Sequence, residues 1–227
     1  MHGNPAALEA VLAEAGDATL VFGGDYAWGP IPAETVDRIR SLDALAIRGN
    51  ADRDPGDDWI VEQLGDERFA WLQTLPEQIE LDVDGVGRVL FCHGSPRSDE
   101  EIILRTTPDE WLREMVADVE ADVVVCGHTH MQFDRVADGI RVVNAGSVGL
   151  AYGAPGAHWL SLGPEVAHRR TPYDNEAFAD RVAASDWPKA ARFAEENIRN
   201  YPSEEEVLAF FGKIADEQWA ERYPGSP

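Results

Sequence analysis

Five short stretches of this chain end in residues that can bind a metal. They are "HGN" at His2, "GGD" at Asp25, "RGNAD" at Asn50, "FCHGSP" at His93 and "VCGHTH" at His128 and His130. Each motif alone is a common turn: Gly-Gly-Asp and His-Gly are frequent polar turns, and Asn50 suits a left-handed turn position. "GHTH" says more, because two histidines flanking one residue at a strand end rarely serve a core. Five such turns in one chain, each offering nitrogen or oxygen, point to a shared metal site. Imidazole, carboxylate and amide oxygen suit manganese, iron, zinc, cobalt or nickel rather than calcium. Six ligands exceed the four of a closed zinc site, so the pattern suggests two divalent ions with Asp25 as a bridging carboxylate. No thiolate lies in these turns. The other two histidines, His158 and His168, lie outside any such turn and read as structural or surface residues.

An α/β rhythm positions these residues over the first two thirds of the chain. "ATLVFGGD" and "ALAIRGN" read as strands ending in turns. Residues 31–40 and 66–74 read as helices. Two hairpins are expected, about Asp84-Gly85 and Asp138-Gly139, the first ending at His93. "ADVVVCGHTH" reads as a buried strand ending at His128. Asn4 caps a helix that begins at Pro5 and stops at Gly16. A second helix is expected after Thr107 as cap, with Glu110 closing a capping box. Alternating strands and helices followed by hairpins imply an α/β fold with a mixed sheet or two packed sheets. Ligand sites in such folds gather beyond the strand ends. From about Thr171 the rhythm becomes helical over 174–183, 187–199 and 204–221, with Ser203 and Glu206 as a capping box. Val207, Phe211, Ile214 and Trp219 line one face of that last helix.

The motif order H-G-N, G-G-D, G-N-x-D, H-G and G-H-T-H resembles the calcineurin-like metallophosphoesterase superfamily. "RGNAD", "HGSP" and "NAGSVG" look most like its small bacterial and archaeal phosphodiesterase branch. The resemblance covers roughly residues 1–170. It implies a four-layer αββα sandwich over 1–172 and a helical C-terminal extension over 173–227. It implies that His2 and His130 bind a first metal, that Asn50, His93 and His128 bind a second, and that Asp25 bridges both. Asn4 and Asp52 would stand just behind them. A hydroxide between two metals, manganese foremost, would attack a small phosphodiester in line, with His2, Asp25, Asn50 and His93 as the catalytic set.

Two departures follow from the resemblance. The family motif is Asp-x-His-Gly-Asn, and this sequence begins at x, with Met1 in that place. The expectation is an Asp ligand and a first strand lying upstream of the written start. Losing a strand that buries three large side chains at ~1.5–3 kcal/mol each would approach a net stability of ~5–15 kcal/mol. The chain as written is therefore expected to be poorly stable, metal-poor and doubtful in activity. Secondly, many relatives carry His after the Asn, where it can protonate the leaving oxygen; here Ala51 stands there, followed by Asp52. This favours diesters with good leaving groups over general monoesters. The alternative is a non-catalytic protein-interaction scaffold, a use that the retromer subunit makes of this fold. A metallo-β-lactamase-type site is disfavoured, because "HTHMQFD" lacks the Asp-His of the H-x-H-x-D-H pattern.

Composition narrows the partners. The net charge is −23, and of 19 basic residues only Lys189 and Lys213 are lysines. Such a field repels polyanions, which disfavours extensive nucleic-acid binding, and it gathers divalent cations. No apolar run approaches the ~20 residues of a membrane span, and the start has no basic or apolar leader. A cytoplasmic protein with buried, reduced Cys92 and Cys126 is expected. The C-terminal helices carry no readable motif; packing on the sandwich, covering the site or forming a homo-oligomer all stay open.

Overall fold

The computed structural model describes residues 1–224; the last residues of the expected extension, 225–227, lie outside the described residues. Asn4 accepts the backbone N–H of Ala7 and caps α1 (Pro5–Ala15), with Pro5 at the first position. Strand β1 (Leu20–Phe22) follows, then α2 (Pro32–Arg40) and β2 (Ala44–Ala46). β1 and β2 pair in parallel as a two-stranded sheet. Asn50 then begins a short helix, α3 (Asn50–Arg53), and α4 (Asp58–Thr74) follows. Asn50 is thus a helix-start residue, not the left-handed turn residue that its type alone suggests. α4 begins earlier than the expected 66–74 and is broken at Gly65, whose φ of 62° and ψ of 170° are not helical.

A five-stranded mixed sheet forms the centre, in the order β3 (Gln78–Val83), β4 (Gly87–Cys92), β5 (Val123–Cys126), β7 (Ile140–Asn144), β6 (Phe133–Ala137). β3 pairs antiparallel with β4 at one edge and β6 with β7 at the other, while β4, β5 and β7 run parallel. Edge strand β3 alternates between exposed and half-buried positions, the period-2 pattern of a strand with one covered face. Central β5 is buried throughout, as a parallel strand covered on both faces must be. Both hairpins form where the sequence places them. Asp138 and Gly139 both have positive φ, which is the two-residue type I′ geometry.

Helix α5 (Asp109–Val116) differs from expectation at its start. Pro108 occupies the capping position and no side chain caps the helix, so the Thr107–Glu110 capping box does not form. Thr107 Oγ1 instead accepts the backbone N–H of Leu104 at 2.9 Å, so the hydroxyl serves the incoming loop. A second hairpin sheet, β8 (Ala157–Leu162) with β9 (Val166–Thr171), was not foreseen from the sequence. Its alternation is diluted by Ser161, His168 and two charged residues, Arg169 and Arg170.

The layers are α, β, β, α. Leu112, Met115 and Val116 of α5 pack on Leu90, Cys92, Val124 and Val142 of one face of the central sheet. Its other face, with Val89, Phe91, Val123 and Val143, packs on Val21 and Ile47 and on Leu160, Leu162 and Val166 of β8–β9. Leu8, Val36, Ile39, Ile60 and Leu64 of α1, α2 and α4 cover β1–β2 from outside, and Ala7 and Val11 cover β8. The layer between the helices and the central sheet consists of the separate two-stranded pieces β1–β2 and β8–β9. Both cysteines are buried free thiols.

The C-terminal segment is helical, as the sequence indicates: α6 (Asn175–Ala183), α7 (Ala190–Phe193) continuing into a π-helical turn over Ala194–Arg199, and α8 (Glu204–Arg222). Ser203 and Glu206 form the expected capping box. Phe178, Val182, Trp187, Phe193 and Ile198 make a small core that reaches Trp28 and Ile31. Val207, Phe211 and Ile214 of α8 pack on Ile102, Leu104 and Met131. Trp219 stacks on Trp111, with ring centroids 4.5 Å apart.

Candidate metal centre

The parallel strands β1, β2, β4 and β5 all point their C-terminal ends at one place, and the turns leaving them carry Asp25, Asn50, His93, His128 and His130. His2 arrives from the turn before α1. Two sets of ligand atoms converge: His2, Asp25 and His130 form one, and Asp25, His93 and His128 form the other, with all atoms of each set within 4.8 Å of one another. Asp25 belongs to both. His2 Nε2 lies 2.8 Å from His130 Nε2 and 3.6 Å from Asp25 Oδ2. His93 Nε2 lies 3.2 Å from the same carboxylate oxygen.

The backbone of these turns is strained in a consistent way. Among the described residues five non-glycine residues have positive φ, and four are His2, Asp25, His128 and His130; the fifth is Asp138 of the hairpin turn. Left-handed backbone is costly for residues with a Cβ and concentrates where function requires it. Glycines allow the close approach. A Cβ on Gly49 would collide with the Asp25 carboxylate, and one on Gly24 would lie 2.7 Å from His93 Nδ1.

Partners behind the ligands fix their orientation. His2 Nδ1 contacts the Trp28 carbonyl at 3.1 Å and His93 Nδ1 contacts the Gly23 carbonyl at 2.7 Å. A carbonyl only accepts, so Nδ1 carries the proton in both rings and Nε2 presents a lone pair to the cluster. Asp52, fully buried, accepts the backbone N–H groups of Asp25 at 2.7 Å, Tyr26 at 2.8 Å and Gly49 at 3.0 Å. It ties the turn after β1 to the turn after β2. The Asn144 amide donates to the Gly127 carbonyl and to Thr129 Oγ1, holding the turn that carries His128 and His130. Asn4, besides capping α1, donates to the Gly149 carbonyl and Tyr173 hydroxyl. The Met1 amine donates to the Asp25 carbonyl at 2.7 Å.

Electrostatics favour a cation. Burial pushes His2 down to about 3 and His128 down to about 4, and holds His130 well below the usual imidazole range. Burial would raise Asp25, but the imidazoles of His93, His2 and His128 outweigh it and hold the carboxyl well below its usual range. Burial also opposes the charged form of His93, yet Asp25 outweighs it and raises that imidazole. Burial and the Asp25 charge lift Asp52 to about 6.

Divalent ions fit this donor set on a direct observation. Asn50 Oδ1 and His130 Nδ1 are buried and have no hydrogen-bond partner, and His93 Nε2 faces the Asp25 carboxylate at 3.2 Å without well-formed hydrogen-bond geometry. Buried polar atoms are rarely left so. A cation held between Asp25 and His93 would give the His93 nitrogen a partner for its lone pair. The structure thus brings His2, Asp25, His93, His128 and His130 into the two sets, and places Asn50 at the start of α3, next to Ala51, whose N–H reaches Asp25 Oδ1. His158 and His168 stand apart in β8 and β9, with His168 Nε2 3.0 Å from the Asn144 carbonyl. The sequence reading missed Trp28 and Tyr152, and it placed Phe211 only on the apolar face of the last helix. Tyr152 stacks on His130, with centroids 5.2 Å apart, and Phe211 faces His128 at 6.4 Å. Only their aromatic type marked Trp28 and Tyr152 beforehand.

Comparison with known proteins agrees with this geometry. Residues 1–162 match the calcineurin-like phosphoesterase superfamily domain. The uncharacterized protein MJ0912 of Methanocaldococcus jannaschii is 26% identical over 174 residues, spanning 66% of this chain and 68% of that protein. A metallophosphoesterase from Sphaerobacter thermophilus superposes with a TM-score of 0.67 at 25% identity, over 85% of this chain and 95% of its own. The hypothetical protein PH1004 from Pyrococcus horikoshii shares the fold, with a TM-score of 0.68 at 20% identity over 87% and 92% of the two chains. With five candidate ligands gathered in two sets and the family's domain spanning most of its length, the chain belongs to the calcineurin-like phosphoesterase superfamily, whose members are metal-dependent.

Proposed function

We propose that this chain is a phosphodiesterase that uses two divalent ions, manganese foremost, to hydrolyse small phosphodiesters. The observation that carries the reading is the pair of ligand sets sharing Asp25. His2, Asp25 and His130 would hold one ion, and Asp25, Asn50, His93 and His128 the other. When bound, the ions supply Lewis acidity towards phosphoryl oxygens and make a water nucleophile available near neutral pH.

The chain's own residues support this chemistry. His2 and His128 are neutral at pH 7, so they can ligate without first losing a proton. The Trp28 and Gly23 carbonyls keep the proton on the outer nitrogen of His2 and His93. Ala51 donates its backbone N–H to Asp25 Oδ1 at 3.0 Å but has no side-chain proton to give a leaving group. Diesters of acidic alcohols or phenols, which leave unaided, suit that position. The net charge of −23 disfavours long polyanionic substrates. Among the described residues no helix is long and apolar enough to cross a membrane.

Four strained site residues argue against a pure scaffold, which has no use for that strain. The deciding experiment is hydrolysis of bis-p-nitrophenyl phosphate with Mn²⁺. The expected result is metal-dependent turnover that disappears in Asp25→Ala and His128→Ala. Turnover that survives both substitutions, or none in protein shown to bind two ions, would overturn the reading.

A further inference from the structure

A cleft of about 520 Å³ lies beside the histidine cluster, between the loop that follows β7 and the C-terminal helices. Its walls include Tyr152, Tyr201, Val207, Phe210 and Phe211. Two of these rings are also neighbours of the candidate ligands. Tyr152 lies nearly parallel to the His130 imidazole, 22° between planes, and Phe211 faces His128. The cleft and the candidate ligands thus share two walls, Tyr152 and Phe211. Phe210 is 62% exposed, an unusual state for so large an apolar side chain, and its ring is 5.3 Å from that of Phe211. Glu196 and Glu206 stand at the lining as well.

We infer that this cleft is the subsite for the non-leaving ester group of the substrate, and that it takes a flat, uncharged aromatic group, such as a phenyl ring or a nucleobase. The inference rests on the phosphodiesterase reading and names the substrate class for it. Three observations carry it. The volume matches that of small-molecule sites, which are mostly apolar with a few polar groups. Aromatic walls favour a π-face over an alkyl chain through offset and edge-to-face contacts. Glu206 and Glu196, the latter paired with Arg192 at 2.7 Å, stand at the lining and repel a substituent carrying further negative charge. A phosphate seated at the histidines would thus direct an aromatic ester group into the cleft and exclude a second phosphate.

Binding separates this inference from the catalytic one. Dimethyl phosphate, diphenyl phosphate and a diphenyl phosphate bearing one para-carboxylate are titrated calorimetrically into Mn²⁺-loaded full-length protein. Diphenyl phosphate is expected to bind at least ~10-fold more tightly than dimethyl phosphate, and the carboxylate to erase most of that gain. Phe210→Ala, at an exposed position, and Tyr152→Leu, which keeps bulk but removes the ring, should each cut the phenyl-to-methyl preference several-fold. Equal affinities, a preference that survives both substitutions, or undiminished binding of the carboxylated ester would each overturn the subsite. Phenyl preference without hydrolysis of bis-p-nitrophenyl phosphate would sink the catalytic reading alone. Hydrolysis without phenyl preference would sink the subsite alone.

Discussion

The Asp52 carboxylate accepts the backbone N–H of Asp25 at 2.7 Å, although the two acids compete for negative charge in the same buried volume. The contact lets one side chain set the angle at which another faces the histidines. Asp52 also accepts from Tyr26 and Gly49, so it joins the turns after β1 and β2. Replacing it with Ala would leave the N–H groups of Asp25, Tyr26 and Gly49, and the more distant one of Ala27, without this partner, at ~1–3 kcal/mol for each group that water does not reach. Asp52→Ala is expected to lose ~2–4 kcal/mol of stability and ~10–100-fold in Mn²⁺ affinity. Asp52→Asn, which keeps one acceptor oxygen, should lose less of both. Urea unfolding and calorimetric metal titration read the two effects; an Asp52→Ala protein with unaltered metal affinity would assign Asp52 to folding alone.

Metal binding should be visible in tryptophan fluorescence. The His2 ring is 5.8 Å from Trp28, which meets Trp187 edge-on at 6.2 Å, and Trp187 lies 6.0 Å from Trp59. A paramagnetic ion at His2 Nε2 would sit next to this cluster and quench it. Titration with Mn²⁺ is expected to quench fluorescence with a stoichiometry of two ions per chain. His2→Ala should remove most of the quenching, whereas Asn50→Ala should leave the component from the ion nearest Trp28. Quenching that is unchanged in His2→Ala would mean that Mn²⁺ binds elsewhere on this acidic surface.

The metal-free protein should lose stability as the pH falls from about 6.5 towards about 4. Burial lowers His2 to about 3 and His128 to about 4, and lowers His130 well below its usual value. Unfolded imidazoles protonate near pH 6.5, so below that pH the unfolded chain binds more protons than the folded one, and unfolding becomes easier. His93 opposes this trend: its raised value gives stability at low pH that is lost as the pH rises through the folded value. Asp52, lifted to about 6, opposes it over the lower part of the window. Three histidines outweigh these two groups. A urea midpoint that is the same at about pH 7 and about pH 4.5 would show that the cluster takes up protons while folded.

Most of the candidate ligands stood out in the sequence because Asp25, Asn50, His93 and His128 each follow an apolar strand, whereas His2 stands in the turn ahead of α1. "LVF", "VLFC" and "VVVC" lead straight into Asp25, His93 and His128, and parallel strands bring their ends together. Helices with side-chain caps, such as Asn4 before α1 and Ser203 before α8, were legible for the same local reason. The Thr107 cap failed because a neighbouring loop N–H, that of Leu104, took the hydroxyl first. β8 and β9 were missed because their half-buried residues are mixed with charges, and only the packing of Leu160, Leu162 and Val166 on the central sheet shows which face is inward. The aromatic cleft was illegible, since Tyr152 and Phe211 are far apart in sequence and meet the histidines only through tertiary packing.

Position 51 offers a test of substrate preference by gain of function. Ala51 lies in the first turn of α3, half-buried, with its backbone N–H on the Asp25 carboxylate. A histidine there would keep that backbone contact and bring a titratable proton to the edge of the site. General-acid help is typically worth ~10²–10⁴-fold, and it matters most when the leaving group is a poor one. A phosphomonoester of an alkyl alcohol needs that proton, whereas a p-nitrophenyl diester does not. Ala51→His is therefore expected to raise kcat/KM for alkyl monoesters by ~10-fold or more while changing the bis-p-nitrophenyl phosphate rate little. The gain should appear below the imidazole pKa and fade above it, because only the protonated ring can donate. An unchanged monoester-to-diester ratio across that pH range would show that a proton at this position does not reach the leaving oxygen, and that substrate choice is set elsewhere in the site.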